Sequence, residues 1–132
     1  MRLSLLPDSL SVCRLSPQHE VPSWAWERRH FLSVTYTTDE LSIVCSTDIV
    51  PTDVSCERDW RAFKVLGPLD FSLTGLLTTL ANPLAVNDIP IFAISTFDTD
   101  YILVKEPHVS RARKILEQQG HTFDNQVGHS LR

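Results

Sequence analysis

An α+β fold is what the residue order of this chain predicts, and three observations carry the prediction. Residues 61–106 read in turn as strand, loop, helix, strand, tight turn and strand. Leu73, Leu76, Leu77, Leu80, Ala81 and Leu84 recur at helical spacing and form one apolar face. Residues 31–37 and 40–46 are rich in Val, Tyr, Thr and Ile on either side of Thr38 and Asp39, which is the composition of a hairpin and its turn. With a further helix and a short strand behind it, the stretch 61–124 spells β-α-β-β-α-β, a ferredoxin-like order. The stretch 1–60 repeats that order in a shortened form. We therefore expect two units in tandem, 1–60 and 61–124, followed by a loose polar tail over 125–132.

Each element has its local reason. Residues 9–15 alternate as a half-buried strand does, with Leu10, Val12 and either Cys13 or Leu15 pointing inward. Ser16 and Pro17 end it. Pro22 opens a short helical turn through Trp24, Ala25 and Trp26, because proline suits a first helical position. Residues 48–59, with Pro51, form a loop or a short helix. A strand over 60–66 stops at Gly67 and Pro68, and the Leu-rich helix runs from about 73 to 86. Pro83 ends or kinks that helix near its last turn. Residues 89–97 are apolar on both faces, which predicts a central strand. Asp98, Thr99 and Asp100 turn the chain into a returning strand over 101–105. Pro107 starts a second helix with Val109, Ala112 and Leu116 toward the core, and Gly120 fits the left-handed residue just past its end. A last strand covers 121–123.

Composition narrows the function classes. A chain of 132 residues allows one domain or two very small ones. A net charge of −4 argues against a nucleic-acid surface, which needs a basic patch. Arg111, Arg113 and Lys114 spread around their helix and read as a solvated face. The three cysteines, Cys13, Cys45 and Cys56, lack the paired spacing of a zinc site or a disulfide scaffold and read as reduced thiols. Pro7 and Asp8 interrupt the leucines that follow Arg2, so no signal-peptide core forms, and no run approaches the roughly 18 apolar residues of a membrane span. A cytoplasmic protein without membrane association is the expectation.

Four phrases, GPLDFSLTGLL, ANPLA, AISTFDTDYILVKE and FLSVTYTTDELSIVC, carry a resemblance over roughly residues 9–121. The chain resembles the ACT domains, small ligand-binding regulatory modules. Among them it is similar to the short tandem-ACT proteins related to aspartokinase regulatory domains and to CASTOR-type cytosolic arginine sensors. The resemblance implies two ACT-like units, a homodimer, a free amino acid as ligand, a protein partner to receive the signal, and neither cofactor nor catalysis. It places the ligand between the loop 67–74 and the strand end 95–100, touching Gly67, Asp70, Phe71, Ser72, Leu73, Thr74, Ser95, Thr96, Phe97 and Asp100. Arginine-sensing relatives surround the guanidinium with acidic groups. Here Asp70 is followed by Leu73 and Thr74, so a smaller or more apolar amino acid fits as well as arginine.

The residues themselves allow two readings of this site. Ser72 or Asp70 caps the helix, and the free amides and positive dipole end also suit a carboxylate. Asp98 and Asp100 resemble a metal motif, but no third carboxylate lies at useful spacing for an oxygen-ligated cation, and a turn explains the pair. Asp100 also suits a ligand ammonium group. The five histidines (His19, His30, His108, His121 and His129) show no metal or catalytic spacing, and no phosphate-binding or nucleophile motif is present. Three hypotheses remain: a non-catalytic amino-acid sensor that signals through ligand-dependent packing of its units, an ACT-type dimerisation module that binds no ligand, and, least favoured by the residues, a small enzyme.

Overall fold

The computed structural model describes residues 1–66 and 75–124. Its strands, in chain order, are β1 (Arg2–Leu5), β2 (Leu10–Leu15), β3 (Ser33–Tyr36), β4 (Leu41–Ser46), β5 (Cys56–Val65), β6 (Phe92–Ser95), β7 (Asp100–Lys105) and β8 (Thr122–Phe123). The helices are α1 (Leu76–Val86) and α2 (Val109–Gln118). The chain divides into two compact units, one of Asp8–Trp60 and one of Met1–Pro7 with the residues from Arg61 onward.

In the first unit the strands lie in the order β3-β4-β2-β5, with antiparallel pairing throughout. Thr37 N–H donates to the Glu40 carbonyl at 2.9 Å and closes the β3–β4 hairpin at Thr38 and Asp39. The β2–β5 ladder shifts register between Leu10 and Val12, opposite the segment of β5 that holds Asp59 at φ 66. An extra residue on one strand produces such a bulge, and a left-handed Asp tolerates it. Cys13, Leu41, Ile43, Cys45, Val50 and Ala25 form the core. The inward set on β2 differs from the sequence expectation, since Cys13 is buried and Val12 only half-buried. The turn after Pro22 is a 3₁₀ helix, Ser23–Trp26, and a second one spans Thr47–Ile49.

In the second unit the order is β8-β1-β5-β7-β6. From β5 to β8 the chain follows the β-α-β-β-α-β sequence. The segment Arg2–Leu5, to which the sequence reading gave no element and which it grouped with 1–60, is a strand of this unit. It lies between β5 and β8, antiparallel to the first (Leu3 opposite Val65) and parallel to the second (Leu3 opposite Phe123). Leu80 and Leu84 of α1 and Ala112, Ile115 and Leu116 of α2 pack with Leu3, Phe63, Val65, Ile102 and Val104 of the sheet. α1 continues three residues beyond Pro83 before its cap at Asn87.

Two boundaries are corrected. α1 begins at Leu76, with Gly75 as N-cap at φ 73 and no side-chain cap. Glycine adopts that left-handed angle without the Cβ clash other residues meet. The strand expected over 89–97 is shorter: β6 runs Phe92–Ser95, the chain turns over 96–99, and among the described residues β6 pairs with β7. Its Phe92 and Ile94 are half-buried, while Ala93 and Ser95 are exposed.

Candidate functional site

The hairpin between β6 and β7 carries the described part of the sequence-predicted site residues. Ser95 and Asp100 are register partners and close the ladder. Thr96 N–H donates to the Thr99 carbonyl at 2.9 Å, and the Thr96 hydroxyl donates to the same oxygen at 3.1 Å. Thr99, only 3% exposed, donates its hydroxyl to the Val65 carbonyl at 2.6 Å. Val65 is the last residue of β5 and stands two positions before Gly67. This buried hydroxyl adds a tie between the hairpin tip and the end of β5 to the pairing of β7 with β5.

Ser95, Thr96 and Phe97 are exposed, Phe97 by 80%, and Asp100 is half-buried. Gly67, Asp70, Phe71, Ser72, Leu73 and Thr74, the other sequence-predicted residues, lie outside the described residues. The first-turn amides of α1, at Leu76, Leu77 and Thr78, follow that segment directly. They carry the partial positive charge of a helix start. Tyr101, next to Asp100, has its phenol pushed up by burial and then by the Asp98 charge. It remains a neutral hydroxyl at physiological pH and does not act as a base.

Sequence reasoning treated Thr99 as part of a turn and missed its anchoring role. No local sequence signal marks that role, because the bond joins positions 34 apart. Among the described residues, no three His, Cys, Asp or Glu side chains group as a metal site. No helix among them is long and apolar enough to cross a membrane.

A family model for the ACT domain matches residues 55–118, and a model for an N-terminal domain matches residues 8–53. A crystal structure of a protein from Agrobacterium tumefaciens is 39% identical to this chain and superposes with a TM-score of 0.87, covering 93% of this chain and 91% of that one. Residues 55–118 of this chain are an ACT domain. Its fold is also that of the ligand-free regulatory subunit of aspartate kinase from Thermus thermophilus, with TM-score 0.57 at 10% identity over 89% of this chain and 95% of that one. At that identity the likeness concerns the fold alone. The cytosolic arginine sensor for mTORC1 subunit 1 of Rattus norvegicus is 36% identical over 74 residues, 55% of this ACT-domain chain. The match spans 22% of the length of that sensor.

Proposed function

We propose that this ACT-domain protein is a non-catalytic regulatory sensor of a free amino acid. The observation that carries the reading is the Thr99 hydroxyl on the Val65 carbonyl. It holds Ser95, Thr96, Phe97 and Asp100 against the root of the segment bearing Gly67, Asp70, Phe71, Ser72, Leu73 and Thr74. The ligand carboxylate is received by amides of Ser72, Leu73 and Thr74 and of the α1 first turn. The ammonium group is received by Asp100 or by carbonyls of Thr96 and Phe97. Such a site exchanges no bonds with its ligand. It changes which packing of the ACT units is preferred, by the ligand's different affinity for each.

The same reading makes the protein a cytoplasmic homodimer that passes its state to a protein partner. The dimer rests on the family resemblance, in which a two-fold axis brings the same patch of each ACT unit to itself. The second reading is a dimerisation module without a ligand.

A thermal-shift screen with the proteinogenic amino acids separates the two. The sensor reading expects one amino acid, or a few related ones, to raise the melting midpoint. Calorimetry on Asp100→Asn then expects the loss of a charge-assisted bond, about 1.5–3 kcal/mol, which is roughly tenfold to a hundredfold in affinity. A screen with no stabilising amino acid leaves the dimerisation module as the function.

A further inference from the structure

The three cysteines, 32 and 11 positions apart along the chain, meet on one face of three neighbouring strands. Cys13 lies on β2, Cys45 on β4 and Cys56 at the start of β5. All three belong to the apolar cluster of the first unit, and all are free thiols. Cys13 and Cys56 are direct register partners. The next pair along, Arg14 and Ser55, is joined by a hydrogen bond from Arg14 N–H to the Ser55 carbonyl at 3.0 Å. In an antiparallel ladder hydrogen-bonded and non-hydrogen-bonded pairs alternate, so Cys13 and Cys56 form the non-hydrogen-bonded kind, with Cα atoms about 4.5 Å apart. That spacing lies within the window of a disulfide, whose Cα atoms are usually about 4.4–6.8 Å apart. Cys45 stands opposite Ser11, so it is diagonal to Cys13. Diagonal pairs are roughly 7–8 Å apart, which a disulfide does not span without backbone movement.

We propose that Cys13 and Cys56 form a reversible cross-strand disulfide, making the Asp8–Trp60 unit responsive to oxidation. Cys56 is the entry point, since it is half-exposed while Cys13 and Cys45 are buried. The oxidant is a hydroperoxide. The Cys56 thiolate attacks one peroxide oxygen and becomes a sulfenic acid, releasing hydroxide from hydrogen peroxide. The Cys13 sulfur then attacks the Cys56 sulfur, and the S–O bond breaks as the S–S bond forms. The displaced hydroxyl leaves as water with the Cys13 proton. Two thiols are oxidised, one peroxide is reduced to two waters, and a dithiol reverses the change. Arg58, held through Nη2 to the Pro51 carbonyl at 3.0 Å, favours the thiolate at all three positions. Burial outweighs it at Cys56, whose thiol is pushed up, so the first step is slow at neutral pH. Cys45 is held down chiefly by its interaction with Cys13. Closure ties together the ends of the 14–55 segment and restricts the unfolded chain.

The test treats the native protein with hydrogen peroxide, alkylates free thiols after denaturation, and maps peptides by mass spectrometry with and without dithiothreitol. The expected product is one chain in which the Cys13 and Cys56 peptides are linked and Cys45 is alkylated. It should have a raised melting midpoint by tryptophan fluorescence and revert on reduction. Cys45→Ser retains the link, and Cys56→Ser, at a half-exposed position, loses both the link and the midpoint shift. Alkylation of all three thiols, a Cys13–Cys45 link, a link between two chains, or irreversible sulfinate at Cys56 overturns the proposal.

Discussion

The two units solve the same packing problem with different means. Both must cover one apolar sheet face. The unit built on β7 and β6 does so with two amphipathic helices, whose Leu80, Leu84, Ala112, Ile115 and Leu116 meet Phe63, Val65, Ile102 and Val104. The Asp8–Trp60 unit has no α-helix among its described residues. Its face, lined by Cys13, Leu41, Ile43 and Cys45, is covered by Ala25, Val50 and the half-buried Val21, Trp24, Leu32, Ile49 and Val54 from turns and 3₁₀ segments. Helices supply large side chains at regular spacing. Turns supply scattered ones, and the core they close is built of smaller, softer residues, thiols among them. The contrast separates a unit with a large aliphatic core from one whose core can change its covalent state.

The largest expected effect tests whether the two cores are energetically distinct. Phe63 is 1% exposed and stands edge-to-face with Phe123 at 5.3 Å. Phe63→Ala should cost about 3–5 kcal/mol. The helices lie in its own unit, whereas Trp24, Trp26 and Trp60 all lie in the other. In denaturant titrations the helical circular dichroism midpoint is therefore expected to fall more than the tryptophan fluorescence midpoint. Equal falls would mean that β5, which contributes to both units, makes them one cooperative body.

Next in size is the hairpin anchor. Thr99→Val keeps the shape and removes the hydroxyl, leaving the Val65 carbonyl without its 2.6 Å donor. The expected loss is about 1–3 kcal/mol in chemical denaturation. Thr99→Ser should recover most of it, and an unchanged stability would show that the tip is held by other contacts.

The helix ends offer a smaller comparison inside one unit. Past α2, Gly120 adopts φ 93, with His121 N–H donating to the Leu116 carbonyl at 3.1 Å. Past α1, Asp88 fills the same place at φ 59, with Ile89 N–H donating to the Leu84 carbonyl at 3.0 Å. A Cβ at Gly120 meets no neighbour within 4 Å, so the cost of Gly120→Ala is that of the backbone angle alone. It is about 1–2 kcal/mol. Asp88→Gly should act in the opposite direction, by less than about 1 kcal/mol, because Asp tolerates the left-handed region. Melting midpoints of both variants read the signs directly.

The smallest effect is a pH dependence. His121 is 6% exposed, and its Nδ1 accepts from the Met1 amine at 3.2 Å. Burial first, and that positive charge second, hold its pKa below the ordinary 6.5; Nε2 finds no full hydrogen bond, although the Thr79 backbone offsets part of the shift. Between the lowered folded value and the unfolded one, the unfolded chain binds a proton that the folded chain does not. Stability is accordingly intact above about 6.5 and declines as the pH falls toward the folded value. His121→Gln should flatten that slope in urea titrations at successive pH values. A slope unchanged by the substitution would assign the proton to another group.

How legible the molecule was in its sequence depended on how local each cause is. Thr38 and Asp39, the apolar face of α1, α2 after Pro107 and the left-handed Gly120 all follow from interactions within a few residues, so periodicity and turn chemistry reached them; the second hairpin was expected to turn at 98–100 and turns at 96–99. The first described residue of α1 was harder, because a left-handed Gly75 rather than a hydroxyl side chain stands at its start. For the site, the sequence singled out the hairpin residues Ser95, Thr96, Phe97 and Asp100. That Thr99 fastens them to Val65 required the fold, since the bond joins positions 34 apart.

By itself, then, the sequence determined the strands, helices and turns whose hydrogen bonds and side-chain spacing close within one element or one hairpin. Tertiary structure decided what depends on neighbours far along the chain. Four residues of β1 have too little pattern to announce a strand, yet they pair with positions some sixty and a hundred and twenty residues away. β6 was expected over 89–97 and spans only Phe92–Ser95, its length set by the register with β7. Cys13, Cys45 and Cys56 share no spacing rule, and only the register of β4, β2 and β5 brings them onto one face. The physical reason is common to all three. Side-chain period belongs to the segment, but the choice of partner strand, and with it what each side chain faces, is settled by the free energy of the whole sheet.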